Sequence, residues 1–175
     1  MKKAAIGIIF SEDCTQVLLV KRRDVPVWVL PGGGIDEGET AEHAACREVF
    51  EETAITVRLV RKIGTYLPIN QLAQETHLFE CTPVTTISHP LAAQEETLGA
   101  AFFPISQLPT ALFFLHKEWI DDALHHYPEP IIRKMTSITW WKLFQTALRH
   151  PLIIARYLLS RLGLPINSKS DYDLE

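Results

Sequence analysis

The chain has 175 residues, 47% of them hydrophobic and 22% charged, the balance of a globular protein with material for one real core. Its three cysteines, Cys14, Cys46 and Cys81, are odd in number and spaced for neither a metal cage nor a disulfide framework, so they read as reduced thiols. The formal net charge of −4 is unevenly spread: residues 1–130 carry ten basic and eighteen acidic side chains, residues 131–170 seven Lys or Arg and no Asp or Glu. Such a split points to two parts with different surroundings.

The apolar stretch Ala4–Phe10 is too short to span a membrane and runs into Ser11, Glu12 and Asp13 instead of a cleavage site. It is predicted as a first strand, and a cytoplasmic location is the expectation. Strand-like runs follow at Gln16–Lys21 and Val27–Leu30. Pro31-Gly32-Gly33-Gly34 breaks the pattern and is expected as a loop. Thr40 is a candidate N-cap for a helix over Ala41–Thr53. Further strands are predicted at Thr56–Tyr66, Thr76–Cys81 and Gly99–Pro104, and a second helix at His116–Leu124. The prolines at 128 and 130 cannot continue that helix. The expected organisation is therefore a domain over residues 1–130 and a basic, helical, amphipathic extension over 131–175, broken at Pro151.

On a wheel of about 100° per residue, Glu48, Glu51 and Glu52 share one face with Ala44 and Ala45, whereas Cys46, Val49, Phe50 and Thr53 fall on a side suited to a sheet. Three carboxylates this close repel one another unless a cation sits among them. Arg47 precedes Glu51 by four residues and can pair with it, but one Arg cannot balance three Glu. A hard divalent cation with oxygen ligands could, Mg²⁺ first and Mn²⁺ second. The two alanines are expected to leave room for a substrate, while Gly32, Gly33, Gly34 and the helix N-terminus offer a seat for phosphate. A glutamate-rich face alone would be a solvated surface, and a glycine run alone a turn; the fixed spacing of the two carries the reading.

That spacing is Gly33, five residues, Glu39, seven residues, then Arg47-Glu48-Val49-Phe50-Glu51-Glu52. It resembles the Nudix box of the Nudix hydrolase family, here Gly33 to Ile55, and Trp28-Val29-Leu30-Pro31-Gly32-Gly33 resembles the family's usual approach to it. The resemblance implies an α/β fold, an α/β/α sandwich around a mixed sheet, and hydrolysis of a nucleoside diphosphate linked to another group. It implies metal binding by Glu48, Glu51 and Glu52, with the Gly33 carbonyl as a further ligand, and supporting roles for Glu39 and Arg47. The expected catalytic set is Glu48, Glu51, Arg47 and Glu96, the general base being Glu48 or Glu51 first and Glu95 or Glu96 second. Arg22 and Arg23 join the three glycines as candidate phosphate contacts. Ala54 stands where the family usually has Gly; if it caps the helix in the left-handed conformation, the cost is about 1 kcal/mol. Trp28 and Tyr66 are expected in the core rather than stacked on a base, and no substrate-specific signature accompanies the box. The rival reading is a non-catalytic nucleotide sensor or membrane-docked regulator on the same scaffold.

In the extension, Trp140, Trp141, Leu143, Phe144, Ala147 and Leu148 fall opposite Lys142, Gln145, Thr146 and Arg149. Residues 131–165 are expected to pack on the domain or on a second copy in a homo-oligomer, or to dock on an anionic membrane surface. Nucleic acid is the least favoured partner.

Overall fold

The computed structural model describes residues 2–25, 27–85, 97–141 and 144–145. The elements run β1 (Lys3–Ile9), β2 (Gln16–Arg22), β3 (Trp28–Val29), β4 (Gly32–Gly34), α1 (Ala41–Thr53), β5 (Val57–Leu67), β6 (Glu75–Pro83), β7 (Thr97–Pro104), α2 (Phe114–Leu124) and β8 (Ile131–Lys134). Among the described residues these build a five-stranded mixed sheet in the order β4-β1-β6-β5-β8 and a three-stranded sheet in the order β3-β2-β7. The expected α/β architecture is present, with the mixed sheet layered between α1 and α2.

β1 and β2 read as continuous apolar runs because both of their faces are covered. Ile6 and Ile8 of β1, with Leu78 of β6, pack with Leu115, Trp119, Ile120 and Ala123 of α2. Ala5 and Ile9, with Phe79 and Cys81, point the other way and pack with Ala44, Ala45 and Val49 of α1. α1 comes close to β1 because Gly7 has no side chain: a Cβ there would lie 2.5 Å from Val49 Cγ2.

Two expectations are corrected. Gly32–Gly34 is no free loop; it forms β4, an edge strand antiparallel to β1, pairing Ile6 with Gly32 and Ala4 with Gly34. Paired on one side only, it keeps the Gly32 N–H for Glu52, and the missing side chains let it lie beneath α1. The fold also continues past residue 130. Ile131–Lys134 runs parallel to β5, with Gly64 opposite Ile131, and Met135 and Ile138 are buried, so the first residues of the supposed helical extension complete the sheet and core. β-branched Ile131 and Ile132 suit a strand, and the preceding prolines mark a turn into it. Most of the later extension, including Pro151, lies outside the described residues.

Candidate active site

The site is assembled where α1 crosses β4. Thr40 caps the helix, its Oγ1 accepting from the His43 N–H at 3.2 Å. The C-terminus is closed by Ala54 in the left-handed region, φ 60°, with its N–H donating to the Phe50 carbonyl at 2.7 Å. Alanine therefore does occupy the strained cap.

The burial of α1 differs from the sequence expectation. Ala44 and Ala45 are fully buried against the sheet, together with Val49 and Thr53, whereas Phe50 is 52% exposed. The alanines leave no room for a substrate; they let the helix settle onto β1. The sector that packs is thus the one that also carries Glu48 and Glu52, and both are pressed toward β4. The Gly32 N–H donates to Glu52 Oε2 at 2.9 Å. A Cβ on Gly33 would stand 2.6 Å from the Glu48 carboxylate, so glycine at 33 lets Glu48 hold its place against β4. Gly32 has φ +154°, and a Cβ there would meet the Ala5 carbonyl at 2.5 Å; both its conformation and its surroundings demand glycine.

Arg47 ties the acidic cluster together. Its Nε and Nη2 donate to the two oxygens of Glu39, each at 2.9 Å. Nη1 donates to Glu48 at 2.9 Å and to Glu51 at 3.1 Å, and Nη2 also reaches the Gly34 carbonyl at 3.0 Å. These bonds match the five N–H donors of a guanidinium. They fasten the helix to β4 and to the approach loop at once. The Arg47 guanidinium holds Glu39 down to about 2 against the desolvation of its carboxyl, with His43 adding a bond at 2.6 Å. Glu39 in turn leads the groups that raise Arg47 above its ordinary value.

The donor chemistry suits a hard cation. Glu48, Glu51 and Glu52 offer only carboxylate oxygen, and their side chains outnumber the one guanidinium beside them. Among the described residues, no three His, Cys, Asp or Glu side chains are already gathered as a cage. Glu48 and Glu51 turn toward Arg47, and Glu52 toward the Gly32 N–H.

The two arginines expected at phosphate are separated by their partners. Arg22 forms a bidentate pair with Asp24, at 2.8 and 2.6 Å. Arg23 lies nearer the site: its Nη2 donates to the Thr97 carbonyl at 3.4 Å, and Thr97 Oγ1 donates to the Glu52 carbonyl at 3.5 Å. The Nε of Arg23 is buried with no hydrogen-bond partner. Glu95 and Glu96 lie outside the described residues. Trp28 and Tyr66 are 1% and 2% exposed, core residues as expected.

Two positioning groups were missed in the sequence. His116 of α2 is buried, and its Nδ1 accepts from the Leu30 N–H at 2.9 Å, just before the glycine strand. That bond leaves the ring proton on Nε2. Burial pushes its imidazole down to about 3, with Arg22 adding to the effect. Thr97 is the other, and no local pattern marks either. Asp24, two residues after Arg22, was the legible signal that Arg22 has a partner of its own.

The NUDIX domain family model matches residues 1–123 of the chain. This protein belongs to the Nudix hydrolase family. A Bacillus subtilis protein provisionally named an 8-oxo-dGTP diphosphatase is 40% identical over 115 residues, covering 66% of this chain and 75% of that one. The ADP-ribose pyrophosphatase of Methanocaldococcus jannaschii is 32% identical over 124 residues, covering 69% and 72%. The crystal structure of a Nudix hydrolase from Nitrosomonas europaea superposes with a TM-score of 0.63 at 23% identity, covering 77% and 78%, a likeness of fold. As a Nudix hydrolase this chain acts on diphosphate bonds. No described helix is long and apolar enough to cross a membrane.

Proposed function

We propose that this Nudix hydrolase cleaves the diphosphate of a nucleotide or nucleotide derivative by attack of water on phosphorus, with Mg²⁺ or Mn²⁺ held by Glu48, Glu51, Glu52 and the Gly33 carbonyl. The observation that carries the reading is the pressing of Glu48 and Glu52 onto the glycine strand, which sets carboxylates beside backbone that can approach a phosphate closely. Bound there, the ion would supply Lewis acidity toward the diphosphate oxygens and a more acidic water.

The chain's own groups do the rest. Glu48 or Glu51 takes the proton of the attacking water, with Glu96 or Glu95 as the second choice. Arg47 fixes where the helix carboxylates stand. Gly32, Gly33 and Gly34 present backbone to the phosphates. Of the two candidate arginines, Arg23 is the better placed to meet growing phosphoryl charge, because Arg22 is paired to Asp24. The two relatives named above, one provisionally named an 8-oxo-dGTP diphosphatase and the other an ADP-ribose pyrophosphatase, support a nucleoside di- or triphosphate group in the substrate.

The test is a panel of 8-oxo-dGTP, ordinary nucleoside triphosphates, ADP-ribose and dinucleoside polyphosphates, with products separated by chromatography in Mg²⁺ and in chelator. Turnover that requires the metal on one class of substrate is the expected result. Tight binding of a nucleotide without turnover across the panel would favour the sensor reading instead.

A further inference from the structure

Residues 135–138 are pinned to the folded domain. Met135 and Ile138 are buried. The Ile138 carbonyl accepts from Asn70 Nδ2 at 2.8 Å, and Ser137 Oγ donates to Glu118 at 2.6 Å. Immediately beyond, Trp140, Trp141 and Phe144 stand 70%, 66% and 53% exposed, and the rings of Trp141 and Phe144 stack 5.7 Å apart. Their backbone is helical, and at about 100° per residue the three rings fall within one sector roughly 100° wide. The sequence left packing on the domain open; these exposures remove it for these three residues. Large aromatics gathered on one exposed sector mark a contact surface.

Charge selects the occupant. Residues 131–170 hold seven Lys or Arg and no Asp or Glu in a chain whose formal net charge is −4. Of these, Arg133 is paired with Asp122 at 2.8 Å, and the other six are Lys134, Lys142, Arg149, Arg156, Arg161 and Lys169. In a two-fold dimer the same patch meets itself, which would set positive charge on positive charge. An anionic surface is complementary. Tryptophan suits the boundary of a bilayer, because its ring is apolar while its N–H keeps a polar partner. The arginines at 149, 156 and 161 interrupt the later apolar sequence, which suits lying in the interface rather than crossing it. We propose that Trp140, Trp141 and Phe144, with the basic sequence that follows, dock this hydrolase on an anionic lipid surface. This inference is independent of the substrate.

The experiment uses the full chain with vesicles of phosphatidylcholine and phosphatidylglycerol, against phosphatidylcholine alone, read by co-sedimentation and tryptophan emission. Trp28 and Trp119 are 1% and 5% exposed, so a lipid-induced blue shift reports Trp140 and Trp141. The expected result is binding with a blue shift on anionic vesicles, released by salt. Trp140→Ser with Trp141→Ser should abolish the shift while turnover in solution is unchanged. Lys142→Gln with Arg149→Gln should lower partitioning about five-fold per charge removed. Three results would overturn the proposal: no binding to anionic vesicles at low salt, equal binding to neutral vesicles, or a lipid-free dimer that already shows the blue shift and is lost in the double serine variant.

Discussion

His116 gives the fold a pH dependence that can be calculated and removed. The folded protein keeps this imidazole neutral down to about 3, whereas the free side chain takes up a proton near 6.5. Below 6.5 the unfolded chain therefore binds a proton that the folded chain refuses. Stability is complete above that pH and falls by up to about 1.4 kcal/mol per pH unit as the pH drops toward 3. Between about pH 7.5 and pH 5 the loss is about 2 kcal/mol from this one group. His116→Gln has no titration in this range and keeps an acceptor for the Leu30 N–H, so its unfolding free energy should lack that part of the decline. His116→Leu should be weaker at every pH, by about 1–3 kcal/mol, because the buried Leu30 N–H loses its partner. Denaturant unfolding of the three proteins at both pH values is the assay. His77, also lowered, chiefly by burial, stays in every variant and cancels in the comparison. Equal losses of stability in the wild type and in His116→Gln would refute the reasoning.

Other substitutions test separate joints of the site. Ala54→Gly should stabilise the protein by about 1 kcal/mol in the same assay, since the residue sits at φ 60°. Gly33→Ala should keep the fold but lower turnover by about ten-fold or more, because the atoms nearest the added Cβ are those of the movable Glu48 carboxylate; an unfolded variant would contradict this. Arg47→Gln should return the Glu39 carboxyl from about 2 toward its ordinary value, followed by carboxyl-carbon NMR. Acid stability lost as the pH falls from about 4.5 toward 2 should shrink with it.

The helix was legible to the residue. Thr40 caps it, Ala41–Thr53 forms it and Ala54 closes it, because capping and helix chemistry are local. The strands were legible as apolar runs, with ends displaced by a residue or two. What could not be read is what depends on distant partners. Glycines 32–34 become a strand only because β1 is there to pair with them, and residues 131–134 do so because β5 has an open edge. The wheel placed the glutamates together and Val49 and Thr53 on the packing side, but turned that side too far toward Phe50, since it weighs bulk and not the closeness that Ala44, Ala45 and Gly7 permit. The Nudix spacing named the acidic set; its attachment to β4 through Arg47, and the support of Leu30 by His116 86 positions away, needed the fold.

The most direct test of the account is the turnover of Glu52→Gln with saturating Mg²⁺, on whichever nucleotide the wild type cleaves, beside its unfolding free energy. Glutamine keeps an oxygen for the Gly32 N–H, so stability should change little while turnover falls by about 10²-fold or more. A Glu52→Gln protein that is folded and fully active would contradict the claim that these carboxylates grip a cation against the diphosphate.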